Sequence, residues 1–100
     1  MFVRIWEYEV PADALPAFRA AYSAEGEWAR LFGRHEGYLG TELYSGPDRE
    51  TYFVTIDRWR TAQDWQAFRA EFAPEYQALD ARFDGLGAIE RSVFEGTSGP

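Results

Sequence analysis

An α+β chain with elements in the order β-α-β-β-α-β is what this sequence of 100 residues predicts. Three observations carry that expectation. Residues 2–10 and 52–59 alternate in side-chain character with the period of a strand. At Thr61 the period changes to that of a helix, and Trp65, Phe68 and Phe72 fall on one stripe. Ser45-Gly46-Pro47-Asp48, the strongest turn signal present, joins the second and third strands as a hairpin. Two β-α-β halves around a central hairpin make the ferredoxin-like arrangement, a four-stranded antiparallel sheet with its helices on one face.

The elements follow in order. Phe2, Arg4, Trp6, Tyr8 and Val10 share one face of the first strand, with Val3, Ile5, Glu7 and Glu9 on the other. Pro11 closes that strand because it has no amide proton for the ladder. Asp13 reads as an N-cap with Pro16 in the first turn, and Leu15, Phe18 and Tyr22 form a helical stripe. Gly26 interrupts, and Glu27 to Phe32 is a second helical piece presenting Trp28, Leu31 and Phe32. Gly33 and Gly37 bracket a loop holding the only histidine, His35, before a strand from Tyr38 to Tyr44. In the third strand Tyr52, Val54 and Ile56 oppose Phe53, Thr55, Asp57 and Trp59. Thr61 with Asp64 is an acidic variant of the capping box. Pro74 suits the first turn of a last helix carrying Tyr76, Leu79 and Phe83, and residues 88–95 read as the final strand. Residues 1–96 are thus one domain, and 97–100 a flexible tail.

Both faces of the first and third strands carry apolar side chains, yet helices cover only one. The uncovered face predicts a homodimer packed sheet to sheet. Aromatic residues make up 18% of the chain, too much apolar area for a disordered one. A net charge of −7 argues against nucleic acid as a partner, since phosphate recognition needs clustered positive charge. All ten basic residues are Arg, so Schiff-base and Lys-base mechanisms are excluded. There is no Cys, which removes thiol nucleophiles and thiolate metal sites, and the acids show no metal-ligand spacing. The N-terminus lacks the features of a signal peptide, and no apolar run has the ~18–20 residues of a membrane span, so a cytoplasmic protein is expected.

VRIWEYEV, the block WARLF…GYLGTELY and VTIDRWRTAQDWQAFRAEF together resemble the antibiotic biosynthesis monooxygenase family, of the dimeric α/β-barrel superfamily. The resemblance runs from about Phe2 to Glu95. It implies a small dimer with a pocket between sheet and helices in each subunit. Some members of the family are cofactor-independent oxygenases of electron-rich polycyclic phenols, and others degrade haem. The haem-degrading members take an iron ligand from a helical His, but the corresponding helix here, Pro74 to Phe83, contains none. The first-strand Asn of those members falls at Trp6. The oxygenases often place a proton-accepting Asn in the site, and this chain has no Asn at all.

The expected site is therefore assembled from what remains. His35, Tyr76 and Arg4 are the catalytic candidates, and Tyr22, Tyr8 and Arg58 are further polar groups of the same kind. His35 reads first as a solvated loop residue, but it alone has an unperturbed pKa near neutrality. Arg4 shares a face with Trp6 and Tyr8, where it needs an acidic partner or an anionic ligand. Asp57 and Arg58 read as strand-end ion pairs. The expected pocket consists of Trp6, Tyr8, Tyr22, Trp28, Phe32, Trp65, Phe68 and Phe72, with no metal and no cofactor. These aromatics read first as core, as any packed helical or strand stripe does, and Trp28 beside a Gly-rich loop also as a lid. Two functions follow. One is a cofactor-independent oxygenase of an aromatic or polyketide-like small molecule. The other is a non-catalytic dimeric module that binds such a ligand or serves a stress or regulatory role.

Overall fold

The computed structural model describes residues 1–99. Its strands are β1 (Phe2–Glu9), β2 (Tyr38–Ser45), β3 (Tyr52–Trp59) and β4 (Ile89–Thr97), and its helices α1 (Leu15–Tyr22), α2 (Glu27–Phe32), α3 (Ala62–Glu71) and α4 (Ala73–Asp84). The strands form one antiparallel sheet in the order β2-β3-β1-β4, and a pair of helices fills each crossover. This is the ferredoxin-like fold.

Alternation in the two central strands sorts their side chains as expected. Phe2, Arg4, Tyr8, Phe53, Thr55, Asp57 and Trp59 are buried under the helices, while Val3, Ile5, Val54 and Ile56 lie half-exposed on the outer face. Two aromatic clusters fill the space between sheet and helices. One surrounds Trp59 and Phe68 with Phe32 and Trp65, and the other surrounds Phe18 and Phe53 with Tyr8. Tyr22 packs against both. α3 begins as its sequence indicates: Thr61 Oγ1 accepts the Asp64 amide at 3.0 Å, satisfying one of the free donors of the first turn.

Two local expectations need correction. Asp13 does not cap α1. A 3-10 turn over Ala12–Ala14 intervenes, and Ala14 precedes the helix without any side-chain cap. The C-terminal strand does not stop at residue 95 or leave a free tail from residue 97. It runs to Thr97, and the Ser98 amide donates to the Met1 carbonyl at 2.9 Å, so the β1–β4 pairing continues to Ser98; residue 100 of the expected tail lies outside the described residues. Beyond these, α4 has no buried residue and β4 is exposed along nearly its whole length, so this edge of the domain is lightly covered.

Both edge strands carry an irregularity that strict alternation does not foresee. Arg4 pairs with Glu95 and Ile5 with Phe94, but Trp6 pairs with Ser92, leaving Val93 as an extra residue in β4. On β2, Tyr38 pairs with Trp59 and Gly40 with Arg58, leaving Leu39 extra. Each bulge reverses which residues face inward. Gly40 has φ +146°, a conformation that an L side chain rarely adopts. A Cβ there would meet nothing within 4 Å, so the constraint is in the backbone alone. Gly40→Ala should cost about 1–3 kcal/mol in urea unfolding through this strain. A variant of unchanged stability would show that the bulge relaxes freely.

Candidate functional site

Because the inner faces of the strands are in register, one transverse row crosses the whole sheet: Thr41 of β2, Asp57 of β3, Arg4 of β1 and Glu95 of β4. Each is the cross-strand neighbour of the next. Arg4 is 7% exposed and turns to Glu95, with Nε 2.7 Å from Oε1. Its guanidinium lies 3.8 Å from the centre of the Trp65 ring, a cation–π contact that α3 supplies from above. Asp57, also 7% exposed, turns the other way. Thr41 Oγ1 donates to its Oδ1 at 2.7 Å, and Tyr38 Oη donates to Thr41 Oγ1 at 2.6 Å.

Thr41, Asp57 and Arg4 of this row form part of the floor of a cavity of about 50 Å³. Aromatic walls rise around it from Trp6 and Tyr8 of β1, Tyr22 of α1, Trp28 and Phe32 of α2 and Tyr76 of α4. Asp80 and Glu90, both exposed, mark its rim. The cavity is dry enough to move proton affinities. Burial pushes the Asp57 carboxyl up to about 6, against the opposing effects of the Thr41 hydrogen bond and the Arg4 charge. Burial likewise raises Tyr76, and it raises Tyr8 well above the usual phenol value although Thr55 is 3.2 Å from its oxygen. Tyr22 is pushed up to about 12 by burial, an effect that the nearby Trp28 indole opposes. That indole N–H falls short of hydrogen-bond geometry with any described acceptor and remains an unpaired donor on the cavity wall. Burial also raises Glu90, with help from the charges of Asp80 and Asp84. Among the described residues no three metal-ligating side chains converge, and no helix is long and apolar enough to cross a membrane.

A sequence profile of the family described as antibiotic biosynthesis monooxygenase matches residues 1–82. This chain belongs to the antibiotic biosynthesis monooxygenase family. Solved structures give the same fold. A protein from Nitrosomonas europaea, assigned by its description to the antibiotic biosynthesis monooxygenases, superposes with a TM-score of 0.69 at 21% identity, covering 98% of both chains. SnoaB, a cofactor-independent oxygenase from Streptomyces nogalater, gives 0.67 at 18% identity over 99% of this chain and 93% of its own. A dimeric ferredoxin-like protein from an uncultured marine organism gives 0.72 at 11% identity over 98% and 94%. At these identities the likeness is one of fold. No curated protein sequence matches.

Within this member of the antibiotic biosynthesis monooxygenase family, the expected site residues separate into three groups. Arg4, Trp6, Tyr8, Tyr22, Trp28, Phe32 and Tyr76 line the cavity. Trp65, Phe68 and Phe72 do not; they pack into the cluster around Trp59, and Trp65 reaches the site only through Arg4. His35 lies outside the cavity, in the loop before β2, where Nδ1 accepts the Gly37 amide at 3.0 Å and the ring packs toward Trp59. Arg58 is on the outer face, where it pairs with Glu42. Asp57 is the main correction: it forms no strand-end ion pair but is a buried carboxyl held by a hydroxyl. Its signal was present in the sequence, since alternation already set it on the face of Phe53 and Trp59, where a carboxylate is out of place. Thr41, Thr55, Asp80 and Glu90 carried no comparable sign.

The raised Asp57 value has a consequence for stability. The folded chain binds this proton more tightly than the unfolded chain, whose carboxyl titrates near 3.8. The contribution of Asp57 is thus most favourable at about pH 4 and below, and declines as pH rises toward about 6. Asp57→Asn removes the buried charge and keeps an acceptor for Thr41. It should be more stable than the native chain by about 1–3 kcal/mol at pH 8, with the difference vanishing near pH 4 in urea titrations. Equal stabilities at pH 8 would mean that Asp57 is effectively solvated.

Proposed function

We propose that this chain is a cofactor-independent monooxygenase of an electron-rich aromatic small molecule, working as a homodimer. The observation that carries the reading is the buried guanidinium of Arg4 on the floor of an aromatic-walled cavity. Such a site favours a flat ligand that becomes anionic when bound. An electron-rich aromatic anion can itself reduce oxygen. In the overall reaction a ring CH₂ and O₂ give C=O and H₂O, with all electrons drawn from the substrate, so the protein need only bind, deprotonate and stabilise. Family membership and the fold shared with SnoaB, described as a cofactor-independent oxygenase, support the same reading.

The test is oxygen uptake by the purified protein with a panel of single-ring dihydroxyarenes, dihydroxynaphthalenes and anthrones, without added flavin or metal. Saturable uptake above autoxidation is expected, and Arg4→Met should lower kcat/KM by about 10²-fold, the usual loss for one donor to a developing anion. Uptake equal to buffer across the panel would transfer the assignment to a ligand-binding module.

The homodimer is supported by the outer face of the sheet, where Val3, Ile5, Val54 and Ile56 lie half-exposed beside exposed Tyr44 and Phe94. A relative of the same fold is described as dimeric. Sedimentation should give a dimer, and Val54→Glu, which sets a carboxylate in that face, should give a folded monomer. A native chain that sediments as a monomer would sink this assembly.

A further inference from the structure

We propose that Asp57 is the proton acceptor of this cavity and that the cavity takes a neutral, single-ring phenol, which it ionises beside Arg4. The inference rests on the cavity being the ligand site, as above, but not on any oxygen chemistry.

Asp57 is held as a base rather than as an ion-pair partner. Arg4 is its direct cross-strand neighbour yet spends its Nε on Glu95. Thr41, itself backed by Tyr38, fixes one carboxylate oxygen. Among the described residues no donor engages the other oxygen, and Asp57 lines the cavity, so a ligand hydroxyl can reach it. The step balances simply: the phenol O–H bond breaks, its proton passes to the free carboxylate oxygen, and the resulting phenolate faces the guanidinium of Arg4. Burial supplies the affinity for the proton, and Arg4 offsets the charge that appears on the ligand.

Size and charge restrict the ligand. A volume of about 50 Å³ holds about four waters at roughly 10–15 Å³ each, comparable to one aromatic ring. A fused tricycle requires α4, which has no buried residue, to move outward. Asp80 and Glu90 at the rim repel an anion, so the ligand enters neutral and acquires its charge only inside. The groups able to influence Asp57 are Arg4 and Tyr8 of β1, Tyr38 of β2, Tyr22 of α1, Tyr76 and Asp80 of α4 and Glu90 of β4. The phenols among them are held neutral by burial.

The probe is 4-nitrophenol, whose phenolate absorbs in the visible, mixed with the protein at a mildly acidic pH where the free probe is mostly protonated. Binding is followed separately by quenching of Trp fluorescence. The expected result is a phenolate fraction at least about threefold above that of the free probe, formed without net proton release to the buffer in the native protein and with about one proton released per phenolate in Asp57→Asn. Thr41→Val, which removes the bond that lowers the Asp57 pKa, should move the ionisation profile to higher pH. The permanent anion 4-nitrobenzoate should bind at least about tenfold more weakly than 4-nitrophenol. Equal proton release by the native chain and Asp57→Asn, or native protein that binds the probe neutral, would overturn the role of Asp57. No binding by a chain of native circular dichroism would overturn the ligand class. Ionisation without oxygen uptake on any substrate would instead retain Asp57 and remove the oxygenase reading.

Discussion

The row Thr41, Asp57, Arg4, Glu95 is the constraint on which the rest of this structure depends. It places two carboxylates and a guanidinium in a layer otherwise built from aromatic rings, where unpaired charge is costly. The layer accommodates them by dividing the partners. Arg4 takes the half-exposed Glu95 and the face of Trp65, while Asp57 takes a hydroxyl. The cation is thereby satisfied and the central carboxyl is not. That imbalance keeps the proton affinity of Asp57 high and leaves the space between β1, β3 and the helices polar on its floor and aromatic on its walls.

The helices serve this row unequally. α3 is anchored by its Thr61 cap and by Phe68, which is fully buried, and so holds Trp65 firmly over Arg4. α2 contributes Trp28 and Phe32, both buried, to the adjoining wall. α4 lies across the opening and buries no residue, although Tyr76 reaches inward. Firm packing thus lies against the charged residues and light cover over the entrance. Local opening is easiest where few apolar contacts must be broken, so α4 is the element through which a larger ligand would pass.

Much of the fold was legible in the residues. The alternation of β1 and β3, the change of period at Thr61 and the Ser45–Asp48 turn each correspond to an element of the structure. Arg4 stands out in the sequence because a guanidinium among Trp6 and Tyr8 breaks the apolar face. Asp57 broke the opposite strand in the same way, but its neighbour Arg58 suggested an ordinary ion pair. Alternation sends those two side chains to opposite faces of the sheet, so only Arg58 reaches an acid, Glu42. His35 stands out in the sequence only by residue type, which carries no information about position. The chain path decides position, and it turns His35 back onto the Gly37 amide.

The sequence by itself determined the order of the elements, the inward faces of the central strands and the aromatic character of the space between sheet and helices. Those are local properties, set by periodicity and turn chemistry within a few residues. Tertiary structure alone decided which polar groups meet. Tyr38 and Thr41 are an odd number of residues apart, as are Ser92 and Glu95, so unbroken strands would send each pair to opposite faces. Bulges at Leu39 and Val93 bring both members of each pair inward, joining Tyr38 and Thr41 to Asp57, and Glu95 to Arg4. A bulge is defined against the partner strand. Its effect on the site can therefore be read only once the four strands are paired.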